Sequence, residues 1–142
     1  MSPMANPFSS ADIEISKAAR ERMDDLQSQG DRRKPFPRMI DVWWAGMCIG
    51  LREGQRRALE GDTVKFATGV IFDSDPWRIA HLQLLGLAET GTDAIADDGW
   101  ANRVVATASE YANYGMNWLF DVVAGAPNPT LAVYRRLDEI LD

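Results

Sequence analysis

Between Pro37 and Gly54 the chain is apolar on almost every side, and this stretch limits its possible architectures more than any other. Met39, Ile40, Val42, Trp43, Trp44, Ala45, Met47, Cys48, Ile49 and Leu51 leave hardly any polar face, so a helix here has to be buried on most sides. The rest of the chain must therefore wrap it. Pro37 suits the first turn of that helix, and Gly50 or Gly54 supplies a permissive backbone at its end. The run Met39–Leu51 is about 13 residues long and contains Asp41, too short to span a bilayer, so no membrane contact is expected.

Around it the pattern is mostly helical. Ile13 and Ile15 alternate with polar residues as in a short half-buried strand, after which Ser16 can cap a weakly amphipathic, mostly exposed helix running from Lys17 to about Gln29. Thr63–Phe66 and Val70–Phe72, separated by Gly69, predict two short strands or a ragged hairpin. Asp75 followed by Pro76 predicts a helix start, and Trp77, Ile79, Ala80, Leu82, Leu84, Leu85 and Leu87 predict heavy burial of that helix to about Glu89. Trp100, Val104, Val105, Ala108, Tyr111 and Ala112 recur at helical spacing. Asn113 and Gly115 then predict a corner, with Tyr111 largely buried and its hydroxyl bonded. Asn128 and Pro129 open a last helix, with Leu131, Tyr134, Leu137 and Leu141 on one face. The expected fold is mainly α, a compact bundle of about five helices with a small two- or three-stranded antiparallel β element. Residues 1–10 read as a mobile N-terminal arm and 11–142 as a single helical domain.

Composition agrees with an ordinary globular chain. The 142 residues suffice to bury roughly 70% of the unfolded surface. Cys48 is the only cysteine, which excludes an internal disulfide, and no basic segment followed by an apolar core opens the chain, so an intracellular, cytoplasmic setting is expected. The net charge of −6 argues against wholesale nucleic-acid binding, but it is unevenly spread. Residues 1–58 hold 10 Lys or Arg against 8 Asp or Glu, net +2, and residues 59–142 hold 5 against 13, net −8. The basic excess gathers at Arg32, Arg33, Lys34, Arg38, Arg52, Arg56 and Arg57.

These seven cations are the candidate binding residues. On one helix Arg38 and Arg52 would point within about 40° of each other, roughly 21 Å apart along the axis, a span that can follow a phosphate backbone. The simpler account is a solvated rim pairing with the acidic half, within the molecule or between subunits. His81 has no His or Cys near it in sequence, and Cys48 falls in the most apolar helix, where a thiol acts as a small apolar residue. Asp73 with Asp75, and Asp97 with Asp98, have the closeness of a magnesium pair, but both stand where helix caps are needed. Trp43, Trp44, Trp77 and Trp118 keep apolar company and read as core rather than as base-stacking platforms; Trp100 is less clear. No phosphate-cradling glycine loop, nucleophile elbow or metalloprotease motif is present, so no catalytic residue, metal or cofactor is assigned. The order strand, helix, helix is also how a ribbon-helix-helix DNA reader begins, although some 80 residues then remain unexplained.

Phe36, Met39, Asp41, Val42, Ala45, Ile49, Gly50, Leu51 and Arg52, followed by Gly54, Arg56, Arg57, Leu59 and Gly61, resemble the family called Dnd system-associated protein four. The runs Leu84–Glu89 and Glu110, Tyr111, Ala112, Asn113 with Gly115 are similar to further stretches of that family; Trp43, Trp44 and the longer N-terminal arm depart from it. The resemblance implies a place beside bacterial DNA phosphorothioation genes, with no known reaction. It fits an accessory or regulatory protein of a DNA-modification or anti-phage defence system that contacts DNA or a larger defence-system subunit. Two alternatives remain: an interaction module forming a homo-oligomer, and a metal-dependent nuclease using dispersed carboxylates such as Asp41, Asp73, Asp75 and Glu110.

Overall fold

The structure, a computed structural model, describes residues 6–28 and 30–141. In chain order the elements are β1 (Asp12–Ser16), α1 (Lys17–Arg22), α2 (Met39–Glu53), β2 (Thr63–Thr68), α3 (Pro76–Thr90), α4 (Trp100–Val123) and α5 (Pro129–Leu141), with 3-10 turns at Met23–Asp25, Gly69–Ser74 and Thr92–Ala96. The fold is mainly helical with one small antiparallel sheet. β1 pairs with β2, Ile13 opposite Ala67 and Ile15 opposite Val64, with a register shift after Ile13. The alternation read in the sequence buries Ile13 and Ile15 and leaves Asp12 and Glu14 outside. Val70–Phe72 forms no second strand but a 3-10 turn, because Gly69 packs against the Phe8 backbone and turns the chain.

The centre of the fold is α2 crossing α4. Trp43, Met47 and Ile40 of α2 and Ala108, Ala112, Met116 and Leu119 of α4 are all buried, as the apolar character of α2 requires. Gly46 and Gly50 of α2 meet Ala112, Gly115 and the Tyr111 carbonyl of α4 so closely that no side chain fits between them. A Cβ on Gly46 would lie 2.7 Å from the Ala112 carbonyl oxygen, and one on Gly115 would collide with the carbonyl of Gly46. Glycine permits this backbone-to-backbone approach.

The expected corner at residues 113–115 is therefore absent. The helix α4 runs unbroken for 24 residues, and Gly115 is not among the glycines with positive φ. Tyr111 is half-buried, and its hydroxyl lies 3.1 Å from Glu89 Oε1.

Other expectations also shift. Phe8, placed in the arm by sequence, is fully buried and packs 5.9 Å from the Trp100 ring, while Asn6 donates 2.8 Å to the Gly69 carbonyl. An aromatic ring with a pocket to fill anchors residues 6–10; residues 1–5 of the arm lie outside those described. The first helix ends at Arg22 rather than near Gln29, itself not described, because the chain folds back. Leu26 and Phe36 bond through their backbones, and Met23 and Leu26 are buried. In α5 the buried side chains are Val133 and, in part, Leu137, whereas Leu131 and Tyr134 face outward. Of the predicted stripe Leu137 packs inward while Leu131 and Tyr134 do not; the Leu141 side chain is not among those described. Asn128 caps α5 as predicted, its side chain accepting from Leu131 N at 3.1 Å. Gly54, at φ 66°, ends α2.

Candidate interaction surface

The seven candidate cations are not brought together into one stripe. Arg38 stands at the start of α2 and turns toward α3. It contacts Asp41 and Asp75, each at 3.0 Å. Arg52, near the other end, instead reaches 3.3 Å to the Ile140 carbonyl of α5. Arg56 pairs with Glu110 at 3.1 Å and Glu89 at 3.5 Å, and Arg57 approaches Glu60 at 3.9 Å. Arg33 pairs with Asp31 at 3.2 Å, which holds the Asp31 carboxyl below its ordinary value, chiefly through the Arg33 side-chain hydrogen bond. Lys34 donates to the Asp24 carbonyl at 2.7 Å, and the Arg32 carbonyl accepts from Thr130 Oγ1 at the start of α5. Most of this charge therefore answers carboxylates or carbonyls of the same chain, and Arg38 and Arg52 lean on different neighbours.

Two clusters result. In the first, Asp41 accepts from Arg38 and, at 2.9 Å, from Arg78 of α3. Burial alone would raise the Asp41 carboxyl, but the hydrogen bonds from Arg38 and Arg78 outweigh it and hold the group below the usual carboxylate value. Arg78 is only 7% exposed, with its guanidinium 5.0 Å from the ring centres of both Trp44 and Trp77. Stacking on two rings offsets part of the cost of burying that cation. Its Nε and Nη1 find no partner among the described residues. The two rings meet edge-on at 5.5 Å, and His81 packs edge-on against both, its Nδ1–H donating to the Trp77 carbonyl at 2.7 Å. Asp75 is spent on Arg38 and gives α3 no side-chain cap; Asp73 accepts from Asn6 at 2.9 Å.

The second cluster accounts for the Glu110–Gly115 stretch. Asn113, buried in α4, donates through Nδ2 to the carbonyls of Arg57 and Ala58, both at 3.2 Å. Arg57 N donates to the Glu110 carbonyl at 3.0 Å. Glu110 binds Arg56, whose guanidinium lies 5.7 Å from the Tyr111 ring centre. The four side chains thus clamp the irregular segment 55–58, whose backbone otherwise has few partners, onto α4. A polar residue directly after Ala112, among the apolar residues of α4, was the sequence signal for this clamp; the segment it grips was not visible there.

Cys48, expected inside, is exposed, because α2 turns that edge to solvent between its buried faces. Local desolvation still raises its thiol above the ordinary value, against a smaller lowering by Arg78. Among the described residues no three His, Cys, Asp or Glu side chains are grouped to hold a metal. Asp41 and Asp75 converge on Arg38, while Glu110 faces Arg56. Nor is any described helix long and apolar enough to cross a membrane.

What remains open is the outer side of α3, which the sequence predicted to be heavily buried. Trp77 is 50% exposed and Leu84 63%, and Ala80, His81 and Ala88 are exposed beside them at helical spacing. No Asp, Glu, Lys or Arg interrupts that face. The inner side alone, through Ile79, Leu82 and Gly86, meets the core, because one 15-residue helix lying on α4 has only one face to give. Next to the outer face an apolar cleft of about 520 Å³ lies between Leu84, Leu87, Ile95 and Trp100.

No family model, no curated protein and no solved structure matches the chain. The geometry and the sequence resemblance are what a functional reading rests on.

Proposed function

We propose that the protein works by binding a partner, as an accessory or regulatory subunit of a DNA-modification or anti-phage defence system, and that the outer face of α3 is the principal contact. The exposure of Trp77 and Leu84 on one uncharged helix face carries this reading. Contiguous apolar surface of this kind on a soluble chain marks an interaction site, whereas a single exposed leucine means nothing. Trp77 is also pre-set: Trp44, Arg78 and His81 hold its ring, so little side-chain entropy remains to be lost on docking. The stretches that resemble the phosphorothioation-associated family serve mainly to build this platform, through the glycine crossing and the clamp on residues 55–58.

The test is a binding titration against the larger subunits of such a system, comparing the wild-type chain with Leu84→Lys and with Arg135→Glu as a surface control. Binding that Leu84→Lys weakens at least tenfold and Arg135→Glu leaves unchanged supports the reading. Equal binding by all three sinks the α3 assignment. Concentration-dependent light scattering on the same proteins shows whether the partner is a second copy.

A second reading, contact with DNA, draws on the turn formed by residues 31–34. There Arg33 pairs with the Asp31 carboxylate, the Lys34 ammonium is met by the Asp24 carbonyl rather than by a charge, and among the described residues no carboxylate pairs with Arg32. Anisotropy with duplex DNA at low salt tests it. Affinity should fall steeply with salt and drop further in the Arg32→Ala, Lys34→Ala double variant. Affinity unchanged by that variant removes the reading.

A further inference from the structure

The outer face of α3 and the cleft beside it form one groove, because Leu84 belongs to both. On the α3 side the cleft wall is Ala80, Gln83, Leu84 and Leu87, at helical spacing over two turns, and Pro7, Ile95 and Trp100 complete it. The Trp100 indole N–H is spent on Thr90 Oγ1 at 3.0 Å, so apart from the Gln83 amide the wall offers apolar surface. The backbone around the groove selects the shape of what can enter. α3 and the 3-10 turn Thr92–Ala96 bond their backbones within themselves. An extended segment therefore meets no strand edge there, whereas a helix arrives with its own backbone satisfied and lays an i, i+4, i+7 stripe into such a groove.

Charge selects the composition of that helix. Between Lys65 and Arg135 the chain has only two cations, Arg78 and Arg103. Arg78 is buried against Asp41, and Arg103 lies 3.8 Å from Asp97. Around the groove stand exposed carboxylates: Asp73 bonded to Asn6, the neighbour of Pro7, and Asp97 with Asp98 between Ile95 and Trp100 in the chain. Among the described residues no cation pairs with Asp73 or Asp98. An apolar centre inside an acidic rim is complementary to a helix with an apolar stripe and basic flanks. A second copy meeting the same face would set like carboxylates against like, since a two-fold contact puts one patch on both sides.

We propose that the groove receives a basic amphipathic helix of the partner, which seats a leucine-sized side chain in the cleft and turns lysine or arginine toward Asp73, Asp97 and Asp98. This rests on the outer face of α3 being the contact surface and adds the chemistry of what it takes. The apolar anchor, desolvated between Leu84, Leu87 and Ile95, carries most of the affinity. The rim charges steer the approach and reject acidic competitors.

Chemical-shift titration of the full chain with three helix-stapled peptides tests this. One carries a leucine stripe flanked by lysines, the second the same stripe flanked by glutamates, and the third the lysines with serine in place of every leucine. The lysine–leucine peptide should saturate with shifts centred on Leu84, Leu87 and Ile95, and bind at least tenfold more tightly than either control. Its affinity should fall at least tenfold in Leu84→Lys, and at least threefold in the double variant Asp73→Asn, Asp98→Asn, whose side chains are exposed and where asparagine keeps the acceptor for Asn6. The proposal is overturned if either control binds as tightly, if the double variant binds as wild type does, or if no peptide saturates. The α3 contact survives each of these results so long as Leu84→Lys still weakens binding of the larger subunits. A dimer of the chain that Leu84→Lys dissociates would make a second copy the occupant and also overturn it. If Leu84→Lys binds both the peptide and the subunits as wild type does, the α3 contact itself fails and the proposal with it.

Discussion

Replacing Gly115 with alanine distinguishes a glycine kept for close approach from one kept for a turn. In an open stretch of helix the change stabilises by about 0.5–1 kcal/mol, because glycine loses more freedom on folding. At a left-handed corner it costs about 1–2 kcal/mol. Here the new Cβ would collide with the Gly46 carbonyl, and neither helix can yield locally, since Gly50 is pressed against the Tyr111 carbonyl a turn away. The obstacle is backbone rather than the tip of a side chain, so α2 and α4 must separate along the crossing and loosen the contacts of Trp43, Met47 and Met116. Overpacking of this kind costs about 3 kcal/mol, the upper end of its usual range. An unfolding entropy of about 2.1 cal/mol/K per residue gives about 0.3 kcal/mol/K for this chain, so the melting temperature should fall by about 10 °C. Urea and thermal unfolding followed by circular dichroism measure both quantities. Gly125→Ala is the comparison, because Gly125 has φ 72° but nothing within 4 Å of its Cβ position, and about 1–2 kcal/mol is expected there. A Gly115→Ala protein as stable as wild type, or more so, would refute the close crossing.

Asn113→Ala removes the donors to Arg57 and Ala58 and should destabilise by about 1–3 kcal/mol. Hydrogen exchange should quicken at residues 55–58 before anywhere else in the protein, and uniform exchange would mean the clamp is not local. Asp41→Asn should cost most at neutral pH. The folded carboxyl titrates below its unfolded value, so its contribution is present above about pH 4 and is lost as pH falls through the lowered folded value. The stability gap between variant and wild type should therefore narrow in acid, and a gap that stays constant with pH would contradict the assignment. Arg78→Met keeps the stem beside the two tryptophans but takes one of its two cations from the largely buried Asp41, so it should cost about 3 kcal/mol, and Arg78→Ala, which also loses the packing, should cost more. Equal losses in the two variants, measured by urea unfolding, would show that charge rather than packing holds the site.

The sequence by itself determined where several elements lie. The apolar circumference of Met39–Leu51 made α2 central, the alternation around Ile13 and Ile15 made β1, and Asn128 with Pro129 set the start of α5, because each signal lies within a turn or two of the element it specifies. Only the tertiary structure decided what each polar or small residue was for. Gly115 reads as a corner until Gly46 is found against it. The arginines read either as a span for a phosphate backbone or as a rim pairing with the acidic half until Arg38 meets Asp75, 37 residues on, and Arg56 meets Glu110, 54 residues on. Asn113 finds its carbonyls 55 and 56 residues back. Trp77 and Leu84 carry the pattern of a buried helix, and whether another element covers that pattern depends on how many helices the fold can lay over α4. Periodicity records that a face is apolar; the packing of the whole chain decides whether that face is closed within the molecule or left for a partner.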